Sequence, residues 1–153
     1  MPLQQHIESK PPIKRIVVAT DLSEHATKTT DYALALARHF GACLTLVHVF
    51  KPDEITFTTP QINEAYENAR HNAELTLLGA FEEIERTYSN CGMEFRVGEP
   101  VEQIALMAST LNADLLVIGS HNLSLLARLF SADAAPRILR AVRCPVLVYH
   151  ESN

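Results

Sequence analysis

The sequence predicts a doubly wound α/β domain built on a five-stranded parallel sheet. Five short runs rich in Val, Ile and Leu alternate with four stretches whose apolar residues recur at three- and four-residue steps. Strands alternating with helices in this way pair in parallel through right-handed crossovers. The runs are also nearly continuous in apolar residues, which suits strands covered on both faces. At 153 residues the chain has the size of a single domain with its own core.

The first element to justify is the strand around Ile16-Val17-Val18-Ala19, which is short and β-branched and stops at Thr20-Asp21-Leu22-Ser23. Side-chain oxygens there are placed to cap a helix. Ala26, Tyr32, Ala33, Leu36, Ala37 and Phe40 mark one face of that helix, and Gly41 follows where a left-handed C-terminal cap belongs. A second strand, Leu44 to Phe50, ends at Lys51-Pro52, and Ala65, Ala69, Ala73, Leu77, Ala80, Phe81 and Ile84 trace a long helix that Gly79 weakens without breaking. The third strand is expected over Met93 to Val97. Gly98-Glu99-Pro100 then opens a helix carrying Ile104, Ala105, Ala108 and Leu111. A fourth strand, Leu115 to Ile118, stops at Gly119, a last helix is expected over Ala134 to Val142, and a fifth strand over Pro145 to Tyr149. Residues 1–12 are mostly polar and end in Pro11-Pro12, a pair that resists helix and sheet alike, so they read as a flexible arm ahead of one domain over residues 13–150.

Composition narrows the function classes. A net charge of -5, with no run of Lys and Arg, gives no attraction to nucleic acid or to an anionic membrane. No apolar stretch approaches a membrane span and no secretory leader is evident, so the expected location is the cytoplasm. Cys43, Cys91 and Cys144 lack paired spacing and are expected as reduced thiols. The seven histidines show no H-x-x-x-H or H-E-x-x-H pattern, so no metal site is expected and most are read as surface or helix-end residues.

Four segments together carry a family likeness: Ile16-Val17-Val18-Ala19-Thr20-Asp21-Leu22-Ser23-Glu24, Leu46-Val47-His48-Val49, Ala113-Asp114-Leu115-Leu116-Val117-Ile118-Gly119-Ser120-His121, and Cys144-Pro145-Val146-Leu147-Val148. In this order and spacing they resemble the universal stress protein family over residues 13–150. The resemblance implies an adenine-nucleotide alpha-hydrolase-like fold with strand order 3-2-1-4-5. Its reversal point lies between the first and fourth strands, where ligands of such sheets bind, and brings Asp21 beside Gly119. It further implies a stress-response or signalling role and a homodimer through the last strand. An apolar edge strand calls for a cover on physical grounds too, which makes Val146, Leu147 and Val148 the expected seam.

Many members of that family hold ATP with a loop of pattern G-x-x-G, nine residues, then G followed by Ser or Thr. Glycines there let phosphate approach the backbone, and the following helix start offers free N–H groups. On this chain the four positions fall on Gly119, Asn122, Ala132 and Asp133, so one of four matches. A carboxylate at Asp133 would accept the helix-start N–H groups itself and repel a triphosphate. The likeness therefore implies a degenerate pocket that binds ATP or AMP weakly at most, with Asp21 and Val49 left on the nucleoside side.

Enzyme readings find little support. Gly119-Ser120-His121 is not a G-x-S-x-G elbow, no P-loop or G-x-G-x-x-G is present, and the position two after Asp21 is Ser23 rather than a second carboxylate. The expectation is a non-enzymatic dimer. Leu123, Leu125, Leu126, Leu129 and Phe130, five large apolar residues within eight, form either a surface for a protein partner or a turn packed into the chain's own core. The alternative is a switch in which ATP or AMP near Asp21, Val49 and Gly119 alters that behaviour.

Overall fold

A computed structural model describes residues 12–52, 60–121 and 142–151. Its elements, in chain order, are β1 (Arg15–Ala19), α1 (Glu24–Phe40), β2 (Cys43–Phe50), α2 (Pro60–Glu85), β3 (Cys91–Val97), α3 (Pro100–Thr110), β4 (Leu115–Gly119) and β5 (Val146–Tyr149). The five strands form one sheet in the order β3-β2-β1-β4-β5, with every neighbouring pair parallel. The two outer strands lie at opposite edges, and β1 pairs with both β2 and β4, so the direction of winding reverses between β1 and β4.

The alternation of side chains along each central strand divides the core into two layers. Ile16, Val18, Leu44, Leu46, Leu115 and Val117 pack with Ala33 and Ala37 of α1 and Leu77 and Ile84 of α2. Val17, Val47, Leu116 and Ile118 pack on the other face with Val101, Ile104, Ala105 and Met107 of α3. All five residues of β4 are buried, which explains why that run carries no polar residue.

Local signals act as the sequence suggests at both ends of α1. Ser23 is extended (φ -78°, ψ 168°), and its hydroxyl accepts the Ala26 N–H at 3.2 Å. Gly41 takes the left-handed conformation (φ 65°) and donates its N–H to Ala37 O. α2 runs unbroken through Gly79. β3 starts at Cys91 instead of Met93, because Cys91 and Gly92 pair with Leu44 and Thr45 and extend the ladder by two residues. Gly92 interrupts the apolar run there, which hides the start of the strand. Of the helix expected over Ala134 to Val142, residues 134–141 lie outside the described residues, and Val142 is buried without being helical.

Cys43, Cys91 and Cys144 are half-buried free thiols. In β5, Val146 is exposed at 40%, whereas Leu147 and Val148 are half-buried, Leu147 against the layer that holds α1 and α2. The arm expected over residues 1–12 lies outside the described residues except for Pro12.

Candidate functional site

The turn from β1 into α1 is held by its own side chains. Thr20 Oγ1 accepts the Leu22 N–H at 3.1 Å, and Asp21 Oδ1 accepts both the Ser23 N–H at 3.0 Å and the Ser23 hydroxyl at 2.5 Å. Between these anchors Leu22 has φ 65°, a left-handed conformation that costs an L-residue roughly 1–2 kcal/mol. The turn is thus strained and pinned, and it presents the second oxygen of Asp21 to the crevice at the reversal point. Ser23 is the N-cap and Asp21 fixes Ser23, so these two turn residues act in series.

Across the crevice β4 ends in Gly119, buried among its neighbours. A Cβ at this position would lie 2.6 Å from Thr29 Oγ1 of α1 and 2.6 Å from the Nδ1 of His121. No side chain fits there, so glycine is required by space. The His121 ring reaches from Gly119 to β1, where its Nε2 lies 3.3 Å from Asp21 Oδ2. Partial burial by itself would raise the Asp21 pKa. The hydrogen bonds from the Ser23 hydroxyl and N–H, followed by the His121 ring, outweigh it and hold the carboxyl below its usual range.

A second histidine completes the arrangement. His25, in the first turn of α1, stacks on His121 with ring centroids 5.4 Å apart, and its Nδ1 lies 2.9 Å from Glu151 Oε2. Lys28 pairs with the other oxygen of Glu151. The Lys28 hydrogen bond, followed by that of His25, draws the Glu151 pKa down to about 2. Asp21, His121, His25, Glu151 and Lys28 therefore form a continuous chain of contacts that ties α1, the end of β4 and the segment after β5. Tyr32 stacks on Tyr149 at 4.9 Å along the same side. The hydroxyl of Thr29, buried beside Gly119, has no hydrogen-bond partner among the described residues.

Val49 approaches the crevice from the other side. The Thr20 N–H donates to Val47 O at 2.9 Å, and the last register pair of β1 with β2 is Ala19 with Val47. By the two-residue alternation of a strand, Val49 turns its N–H and C=O toward the same edge. No hydrogen bond among the described residues ties Val49 to the β1 chain. The ring of His48 instead takes Thr20 O, with Nδ1 at 2.8 Å. Burial, only partly opposed by that carbonyl and by Asp21, pushes the His48 pKa down, so the ring is neutral with Nδ1–H donating. The Val49 side chain packs against the α3 layer, as does Ala19.

A profile of the universal stress protein family matches residues 12–150 of the chain. The chain belongs to the universal stress protein family. A universal stress protein of Thermus aquaticus is 29% identical over 88% of this chain and 97% of its own length. A universal stress protein solved in complex with cAMP superposes with a TM-score of 0.65 at 21% identity, covering 93% of this chain and all of that one (100%). A universal stress protein of Archaeoglobus fulgidus in complex with dAMP gives 0.55 at 22% identity, covering 90% of this chain and 98% of that one. At such identities these two structures support the fold.

As a universal stress protein, this chain brings two residues singled out from sequence, Asp21 and Gly119, to the two sides of the His121 ring, while Val49 stands near the C-terminal end of β2. Asn122, Ala132 and Asp133 lie outside the described residues, as do Leu123, Leu125, Leu126, Leu129 and Phe130. Two histidines depart from the surface reading: His48 and His121 are partly buried and engaged. His121, His25, Thr29 and Glu151 were not anticipated as site residues. His121 follows two residues after the glycine that ends β4, and His25 sits in the helix turn after Asp21, so their positions relative to the reversal point carried the available signal. Among the described residues no group of three or more His, Cys, Asp or Glu side chains is placed to hold a metal. No helix among them is long and apolar enough to cross a membrane.

Proposed function

We propose that this universal stress protein is a cytoplasmic, non-enzymatic homodimer whose crevice takes adenine nucleotides weakly, through the nucleoside and with little contribution from phosphate. The observation that carries this reading is the engagement of Asp21. One of its oxygens receives two hydrogen bonds from Ser23, and the other faces the His121 ring that packs on Gly119. Phosphate approaching Gly119 meets that ring, and the loop positions beyond it, Asn122, Ala132 and Asp133, depart from the phosphate-binding pattern. The generally regulatory character of the family supports a role without catalysis. Two relatives of the same fold were solved with cAMP and dAMP, each a single-phosphate adenine nucleotide.

Thermal unfolding with and without millimolar Mg-ATP, AMP and adenosine tests the pocket, since a ligand that binds only the folded state raises apparent stability. Little or no shift is expected for the wild type. A shift with Mg-ATP is expected in the Asn122→Gly, Ala132→Gly, Asp133→Ser variant. A large ATP shift in the wild type would refute the blocked-phosphate reading. For the dimer, the support is the apolar edge of β5, with Val146 exposed beside Leu147 and Val148. Light scattering should give twice the chain mass for the wild type and the monomer mass for Val146→Asp. A monomeric wild type would end the dimer proposal.

The second reading, a switch driven by ATP or AMP, is favoured by the peptide edge of Val49. A donor and an acceptor from one residue, unclaimed by β1, suit the adjacent donor and acceptor of an adenine edge. A change in oligomeric mass on adding AMP would select this reading over the first.

A further inference from the structure

The end of β5 and the segment after it are fastened to α1. Tyr149 stacks on Tyr32, with ring centroids 4.9 Å apart. Two residues later, Glu151 takes Lys28 through one oxygen and His25 Nδ1 through the other, the latter at 2.9 Å. The backbone sets this fastening at the reversal point, because Gly119 and Tyr149 are register partners and the Ser120 N–H donates to Tyr149 O at 2.8 Å. The end of the edge strand thus lies beside the residues that close the crevice.

The ionic part of that fastening does not hold itself. The His25 side chain is 63% exposed and Lys28 is exposed as well, and contacts between such side chains are weak and screened by salt. An exposed side chain also loses rotamer freedom when it is held in one position. What holds His25 is the His121 ring, stacked on it with centroids 5.4 Å apart and planes 28° apart. His121 is itself well seated. Its side chain is 22% exposed, its Nε2 lies 3.3 Å from Asp21 Oδ2, and its Nδ1 lies 2.6 Å from the point where a Cβ on Gly119 would stand. Support therefore runs outward from the crevice: Asp21 and Gly119 seat His121, His121 seats His25, and His25 with Lys28 seats Glu151.

A ligand that uses the second oxygen of Asp21, or that approaches Gly119, needs the space the His121 ring fills. It binds the arrangement in which the ring is displaced, and a ligand shifts an equilibrium toward the state it binds. From these contacts we infer that the His121–His25 stack is a switch between the crevice and the end of β5. With the ring seated on Gly119, Glu151 latches the segment after β5 to α1, and with the ring displaced by a ligand of the crevice the latch opens. His121 is thus a positioning residue for a contact it does not make. The inference rests on the proposed crevice reading for what displaces the ring, and not for the latch. Its consequence falls on β5, the edge strand proposed as the dimer seam. Coupling of this kind is reciprocal, so opening the latch must also favour the ligand.

Backbone amide NMR relaxation of the isotope-labelled full chain at neutral pH reads the latch without any ligand. The amides of His150 and Glu151 should be ordered in the wild type, with order parameters of about 0.8, and should fall below about 0.6 in His25→Ala. His121→Ala should give the same fall, although His121 has no hydrogen bond or ion pair to Glu151 among the described residues. Adenosine added to the wild type should shift the amides of Asp21 and Gly119 and loosen His150 and Glu151 together. Glu151→Gln, an exchange outside the crevice, should bind adenosine about two- to fivefold more tightly, the scale of one exposed pair. The inference is overturned if His150 and Glu151 are as mobile in the wild type as in His25→Ala, or if His121→Ala leaves them ordered. It is equally overturned if adenosine shifts Asp21 and Gly119 without loosening them, or binds Glu151→Gln no better than the wild type. If adenosine moves no amide at all, the crevice reading fails, and relaxation of the two histidine variants alone decides the latch.

Discussion

Replacing Gly119 by alanine should destabilise the protein through contact alone. The φ of this residue lies outside the left-handed region, so alanine carries no backbone penalty. The added Cβ would lie 2.6 Å from Thr29 Oγ1, on a residue 1% exposed in the first half of α1, and equally close to the His121 ring. The ring can swing away by giving up Asp21, but Thr29 is held by its helix, so the strand end and α1 must part. Overpacking of this kind costs typically about 1–3 kcal/mol. At about 2–4 °C per kcal/mol for a chain of this size, the melting temperature should fall by roughly 2–12 °C. Urea unfolding of Gly119→Ala, and of the same change in a Thr29→Ala, His121→Ala background, isolates the cause, because the background removes both obstacles. The cost should drop below about 0.5 kcal/mol there, the non-additivity expected of residues in contact. If Gly119→Ala is neutral in the wild type, or costs the same in both backgrounds, the packing of His121 and Thr29 on Gly119 is wrong.

Three further outcomes follow from the same contacts. Thr29→Val exchanges an unpartnered buried hydroxyl for a methyl of the same shape, and calorimetry should find it neutral or stabilising by up to about 1 kcal/mol. Ser23→Ala removes the N-cap of α1 and should cost about 1 kcal/mol in urea unfolding. It should also raise the Asp21 pKa in a carbon-detected titration, since the Ser23 hydroxyl bond is lost while the backbone N–H bond stays. His48 has a folded pKa below the ordinary histidine value of 6.5, so the unfolded chain binds more protons between the two values. Its contribution to stability is therefore full above pH 6.5 and declines as pH falls toward the folded pKa, and imidazole NMR should place its titration on the acid side of 6.5.

The fold was legible because each signal had one local cause. Ser23 and Gly41 bound α1 through hydrogen bonds that involve neighbours three or four residues away, and the apolar runs of β1, β2 and β4 reflect burial on two faces. Where the cause is distant, the sequence was mute. β3 begins at Cys91 because Leu44 and Thr45 offer pairing, a fact recorded in β2 and not in the residues of β3 itself. The crevice shows the same division. Asp21, Val49 and Gly119 were found from a family pattern. The partnership of His121 with Asp21, and of His25 with Glu151, joins residues 100 or more positions apart and arises only when β1, β4 and β5 lie side by side. Histidine spacing along the chain could not reveal it, because none of these pairs shares a helix face or a strand.

The proposal that phosphate adds little in this crevice is tested most directly by calorimetric titration of the wild-type protein with adenosine and with Mg-ATP under identical conditions. The account predicts weak binding with dissociation constants within a few-fold of one another, because the ligand gains Val49 and Asp21 and nothing at Gly119. ATP bound about 100-fold more tightly than adenosine, a difference of about 2.7 kcal/mol assignable to phosphate, would contradict it.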